Sequence, residues 1–193
     1  MQQQESHPVD RIVGAVHSLL VSGGARAVSY RSVAKQAGLS AGTVTYYFAS
    51  RARLLEAALD RYHDRVDATV RALVSGPRFK PSTCARELTR YVFQNRSDVR
   101  LRLASLLDGW GLPIQRRVFA NRLLAKVSHY EWREDWTEEE KRIVIQGLVY
   151  AAQLFAALSA EDLEAIVGVD DYEEASDLVI ETIGKLTEHL VGT

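Results

Sequence analysis

Apolar residues recur along this chain at spacings of three and four almost from end to end, as in helices that bury one stripe and show water the rest. Val9, Ile12, Val13, Val16, Leu19 and Leu20 make the first stripe, which stops at Gly23-Gly24. Val33, Ala34 and Ala37 make a short one that ends at Gly38, and the residues Ala41 to Tyr47 predict another short helix directly after it. A long helix follows on Leu55, Leu59, Tyr62, Val66, Val70 and Leu73, continuing to Gly76-Pro77, where Pro77 and Pro81 forbid continuation. From Ser82 to about Glu134 three further helical stretches are expected, with breaks near Arg96-Ser97-Asp98 and at Gly111-Leu112-Pro113. Two long helices close the chain. Thr137 with Glu140 and Asp171 with Glu174 have the spacing of capping boxes at their starts. Ile143, Gly147, Tyr150, Ala151, Leu154 and Leu158 stripe the first of them, and Val179, Ile183, Leu186 and Leu190 the second. The fold class this pattern predicts is all-α.

The segment SYRSVAKQAGLSAGTVTYYF, residues 29–48, narrows the function. Ser29, Ser40 and Ser50 each stand just before a helix-compatible run, where a hydroxyl can accept a hydrogen bond from an unpaired amide. Gly38 suits the left-handed backbone of a sharp helix-to-helix turn, and Leu39 is placed to plug the gap between the two helices. Apart from Val44, the second helix carries Gly42, Thr43, Thr45, Tyr46 and Tyr47, which are small, hydroxylated or aromatic. Such a surface suits close approach to phosphates and base edges better than burial. The segment reads as a helix-turn-helix.

With LSAGTVTYYFASRARLL, the chain resembles the TetR family of bacterial one-component repressors. The resemblance implies an N-terminal three-helix DNA-binding domain over residues 1–55 and a C-terminal helical ligand-binding and dimerisation domain over 56–193. It implies phosphate contacts from Arg31, Ser32, Thr43 and Tyr47. Ala41, Gly42 and Thr45 would face the major groove with Tyr46 beside them, and Phe48 would be core. Arg51 stands where the family more often has lysine, and it keeps the charge with a planar fork. Thr45-Tyr46 replaces a more usual leucine or isoleucine before tyrosine, which leaves base preference open. The two closing helices, with Ile143, Gly147, Tyr150, Leu154, Leu158, Val179, Ile183, Leu186 and Leu190, would pair with a second copy in a four-helix bundle. A twofold homodimer would read an inverted-repeat operator in double-stranded DNA. A small-molecule effector in the middle helices would act through the long connecting helix to release it.

Phe93, Leu107, Asp108, Trp110, Phe119, Tyr130, Trp132 and Trp136 form an aromatic-rich middle with one carboxylate. This composition fits a flat or cationic apolar effector, and equally an ordinary core. We therefore take Phe93, Asp108, Trp110, Phe119, Tyr130 and Trp132 as candidate effector contacts.

Charge changes the picture modestly. Residues 1–55 hold six Lys and Arg against two Asp and Glu, and the remainder 18 against 23, an asymmetry hidden in a net charge of −1. A locally positive end is drawn to phosphates. With 193 residues, 47% hydrophobic and 25% charged, the chain has material for one substantial core and a small second domain. No apolar run approaches the roughly 20 residues needed to span a bilayer, and MQQQESHPVD lacks the zones of a secretion signal, so a cytoplasmic protein without membrane partners is expected. Cys84 is alone and reads as a core thiol.

Enzymatic signatures fail on their partners. Ser32 and Lys35 fit a serine-x-x-lysine pattern without its companion motifs, and His129-Tyr130-Glu131 lacks the paired cysteines of a zinc deaminase. His63 and Asp67 alone have helical spacing for a metal site, and a solvated pair explains them as well. No enzyme activity, cofactor or metal is expected. The alternative to a DNA-binding regulator is a helical small-molecule-binding or interaction module that does not bind DNA on its own.

Overall fold

The computed structural model describes residues 7–75, 80–107, 125, 132 and 136–191. Among them all regular structure is helical, with a single 3-10 turn at Ala25–Ala27. The helices are α1 (Pro8–Gly23), α2 (Tyr30–Ala37), α3 (Ala41–Tyr47), α4 (Arg51–Val74), α5 (Pro81–Gln94), α6 (Arg96–Leu107), α7 (Glu138–Ala157), α8 (Ala160–Val167) and α9 (Tyr172–Val191). None of the described helices is long and apolar enough to cross a membrane.

Local chemistry sets most of these boundaries. The Ser29, Ser40 and Ser50 hydroxyls accept from the amides of Ser32, Thr43 and Arg53 at 3.1, 2.9 and 3.2 Å. Thr137 and Glu140 cap α7 reciprocally, at 3.2 Å from the Glu140 amide and 2.7 Å from the Thr137 amide. Those bonds to Thr137 hold the Glu140 carboxyl below its ordinary pKa. Asp171 accepts from the Glu174 amide at 2.8 Å ahead of α9. Pro81 does not merely interrupt the chain. It occupies the first turn of α5, where its missing N–H is no loss. α8 lies between the two long closing helices that the apolar pattern predicts; Ser159 caps its start and Gly168, at φ 83°, its end.

The chain divides into two compact units. The first comprises residues up to Asp64 with the stretch from Arg100, and its core gathers Ile12, Val16, Val33, Val44, Leu54 and Leu59 with Leu101 of α6. α1 packs on α2, and α2 on α3. In the second unit Val70, Val74, Cys84, Ile145 and Val191 form a buried cluster, with Leu88 and Trp132 against it. α9 packs along α5. Gly184 permits this close approach, because a Cβ there would lie 2.6 Å from the Arg86 side chain. Arg86 in turn pairs with Glu181 at 2.9 Å.

Candidate nucleic-acid interface

The turn between α2 and α3 is held from three sides. Gly38 adopts φ 65° and ψ 38°, its amide reaches the Lys35 carbonyl at 3.3 Å, and the Leu39 amide reaches the Ala34 carbonyl at 2.9 Å. These two bonds make a Schellman turn, and Leu39 packs on the core beneath it. Arg11 of α1 donates from Nε and Nη2 to the Ala37 carbonyl at 3.1 and 2.7 Å, and from Nη2 to the Gly38 carbonyl at 3.0 Å. Carbonyls left over at the end of α2 thus find a cationic donor. Tyr30 donates its hydroxyl to the Phe48 carbonyl at 2.9 Å, fastening the start of α2 to the end of α3.

On that frame α3 buries only Val44. Ala41, Gly42, Thr45, Tyr46 and Tyr47 are exposed, Tyr46 by 82% and Tyr47 by 38%. The two tyrosine rings meet edge to face at 5.1 Å, and the His7 ring lies 6.1 Å from Tyr47. Gly42 has no positive φ, and a Cβ on it would meet only Ser40 Oγ, at an ordinary 3.6 Å. The fold does not require glycine there. Thr43 is half-buried, with its hydroxyl 2.8 Å from Ser40 Oγ, and Arg31 is exposed on α2.

Two expected phosphate contacts have work inside the fold. The Ser32 hydroxyl donates to the Ala27 carbonyl at 2.7 Å and accepts from the Ser29 amide at 2.9 Å, completing the cap of α2. Arg51 donates from Nε to the Val28 carbonyl at 2.9 Å and from Nη2 to the Ala25 carbonyl, tying the start of α4 to the chain before α2. Both hold the motif together.

The candidate effector residues are less gathered. Asp108, Trp110, Phe119 and Tyr130 lie outside the described residues. Phe93 is buried on α5. Trp132 packs against the Val70, Cys84 and Ile145 cluster, 5.7 Å from the Trp136 ring and with Lys141 Nζ 5.8 Å from its centroid. Leu107 is 87% exposed at the end of α6. Burial pushes the Cys84 thiol up to about 12, which keeps it protonated and unreactive at neutral pH. Among the described residues no cluster of three His, Cys, Asp or Glu could hold a metal ion.

The closing helices divide their apolar residues differently from the expected stripes. On α7, Ile143 and Leu154 are exposed by 70% and 60%, with Gly147 between them also exposed and Tyr150 and Leu158 half-buried. On α9, Val179 and Ile183 are buried within the chain, so they are core and not a surface for a second copy. Leu178 and Leu186 carry the exposed side, and Leu190 packs on the second unit's core.

A glycine-turned helix pair, braced by a third helix and showing small hydroxylated and aromatic side chains to solvent, has the geometry of a helix-turn-helix. Residues 12–58 match the family described as bacterial regulatory proteins, tetR family. The HTH-type transcriptional repressor KstR of Mycolicibacterium smegmatis is 42% identical over 67 residues, which cover 34% of this chain and 33% of that one. The chain thus spans about a third of the length of the curated relatives it matches. Salmonella enterica GusR shares the fold over 99% of this chain and 98% of its own, with a TM-score of 0.72 and 16% identity. The multidrug binding protein EbrR, complexed with malachite green, aligns over 93% of this chain and 97% of its own, with a TM-score of 0.60 and 23% identity. Over residues 12–58 the chain is thus similar to the tetR family, and over nearly its whole length it shares the fold of these solved structures.

Proposed function

We propose that the protein is a homodimeric repressor that binds an inverted-repeat operator and is released from it by a small molecule. The observation that carries this reading is the exposed face of α3, where Ala41, Gly42, Thr45 and Tyr46 stand clear of the core on a turn clamped by Arg11 and Gly38. Glycine at 42, which the fold does not need, leaves room for base edges or a phosphate to come close. Arg31, Thr43 and Tyr47 flank that face as phosphate contacts. Residues 1–55 act as the DNA-binding domain and 56–193 as the ligand-binding and dimerisation domain.

A second copy covers the apolar side of α7 and α9 through Ile143, Gly147, Leu154, Leu178 and Leu186, which supports two recognition helices related by a twofold axis. An effector that prefers a dimer with the wrong spacing of those helices releases DNA, by no more than its differential affinity for the two states. The likeness in fold to a dye-binding relative supports an apolar effector site in the second domain.

The test is selection from a random duplex library at near-physiological salt, run beside the Tyr47→Ala variant. Enrichment of an inverted repeat by the wild type, lost or weakened at least about tenfold in the folded, dimeric variant, is expected. Equal enrichment by both would remove α3 as the reading element, and a folded wild-type dimer that enriches nothing would favour the interaction-module alternative.

A further inference from the structure

Among the described residues of the second unit, three buried side-chain atoms have no hydrogen-bond partner: the Tyr91 hydroxyl, Gln146 Nε2 and Gln153 Oε1. Gln153 is only 6% exposed. Buried polar atoms almost always have partners, since each gives up hydration that only a hydrogen bond returns. Three orphans in one unit therefore ask for a common explanation.

Their placement supplies one. Gln146 and Gln153 are seven residues apart on α7, two turns along one face. Tyr91 is on α5, which packs on α7. The two helices run in parallel register. Cys84 shares a cluster with Ile145 near their starts, and past the end of α5 Arg96 donates to the Ala156 carbonyl at 3.0 Å and to the Leu158 carbonyl, at sequence separations of 60 and 62. The same offset sets Tyr91 level with Ala152 and Gln153. Charged neighbours are engaged elsewhere: Arg90 with Glu87 at 2.5 Å, and Arg96 with the two carbonyls and the Tyr172 ring, 4.7 Å from its centroid. A phenol and two carboxamides offer donors and acceptors but no formal charge, and exchanging amide nitrogen and oxygen leaves that balance unchanged.

We infer that Tyr91, Gln146 and Gln153 form a recognition seam between α5 and α7 for a neutral, largely apolar molecule bearing both a hydrogen-bond acceptor and a donor. This rests on the ligand-responsive reading above and names the chemistry of its effector. Ionised effectors are disfavoured, because the seam desolvates a charge without returning one.

The probe is 3-hydroxyflavone, a neutral aromatic with adjacent carbonyl and hydroxyl groups, whose two emission bands change ratio when those groups bond outward instead of to each other. Malachite green serves as the cationic comparator. With the full chain, saturable flavone binding tighter than that of the dye is expected, with the band ratio of the outward-bonded form. Tyr91→Phe and Gln153→Leu should each weaken it about tenfold and return the ratio towards the internally bonded form, with Gln146→Leu as a third variant. Their melting temperatures should hold or rise, because an unpartnered buried polar atom is being removed. Absent flavone binding, tighter binding of the dye, affinities unchanged in all three variants, or melting temperatures that fall in all three would each overturn the seam. Operator retention is measured in parallel. Flavone binding without operator binding would sink the repressor reading and leave the seam standing, and the reverse result would do the opposite.

Discussion

Arg11 shows how a single side chain sets the geometry of the helix-turn-helix. It reaches from α1 to the Ala37 and Gly38 carbonyls, 26 and 27 residues away, where α2 has run out of internal donors. Nothing in its own neighbourhood marks it for that task. Gly38 is the opposite case, since a left-handed turn between two short capped helices is a local demand and the glycine announces it. Arg11→Ala should cost about 1–2 kcal/mol of stability in urea unfolding, because two carbonyls lose a charged donor. Arg11→Lys should recover only part of this, as an ammonium lacks the fork that spans both. A loss within error for Arg11→Ala would show that solvent serves those carbonyls equally well. Ser32 and Arg51 belong to the same class: types that suit phosphate contact, engaged by backbone atoms in the folded chain.

Helices carry information in their caps and in their unfavourable pairings. On α4, Glu56, Asp60 and Asp64 follow one another at four-residue intervals, stacking like charges on one face. Desolvation raises the Asp60 pKa, the Asp64 and Glu56 carboxylates add to the rise, and Arg53 partly offsets them. A carboxyl whose pKa rises on folding costs stability once it ionises. The penalty is absent below the ordinary value of 3.8 and reaches full size once pH exceeds the raised folded value. Asp60→Asn should therefore raise the melting temperature at pH 7, with the gain fading as pH falls through the raised folded value and gone below about 4. A gain independent of pH would point to packing instead of charge. α9 shows the limit of reading a helix alone. Its apolar residues lie on more than one side, and the stripe of Val179, Ile183, Leu186 and Leu190 mixes residues packed inward with an exposed one. α8 is not among the helices the apolar pattern predicts: Ser159 and Gly168 bound it, but its apolar stripe is too short to stand out from its neighbours.

At the scale of the whole molecule the exposed apolar side of α7 and α9 is the feature that a lone chain leaves unexplained. Ile143 and Leu154 lie three turns apart with Gly147 between them, a pattern that brings a partner helix close. Ile143→Glu combined with Leu154→Glu should turn the protein into a monomer in analytical ultracentrifugation without loss of helicity. Affinity for the full inverted repeat should drop on the order of a hundredfold, since each half-site is then bound on its own. A variant that stays dimeric would place the interface elsewhere.

The sequence by itself determined the helical class, the capped pair around Gly38, the likeness of residues 12–58 to the tetR family and the faces of the short helices, because capping, left-handed glycine and apolar period are local properties of the chain. Only the tertiary structure decided which apolar stripe of α9 turns inward, that Arg11, Tyr30 and Arg51 brace the helix-turn-helix, and that the Tyr91 hydroxyl, Gln146 Nε2 and Gln153 Oε1 are buried with no hydrogen-bond partner among the described residues. Those outcomes depend on contacts between residues far apart in the chain, which spacing along one helix cannot report.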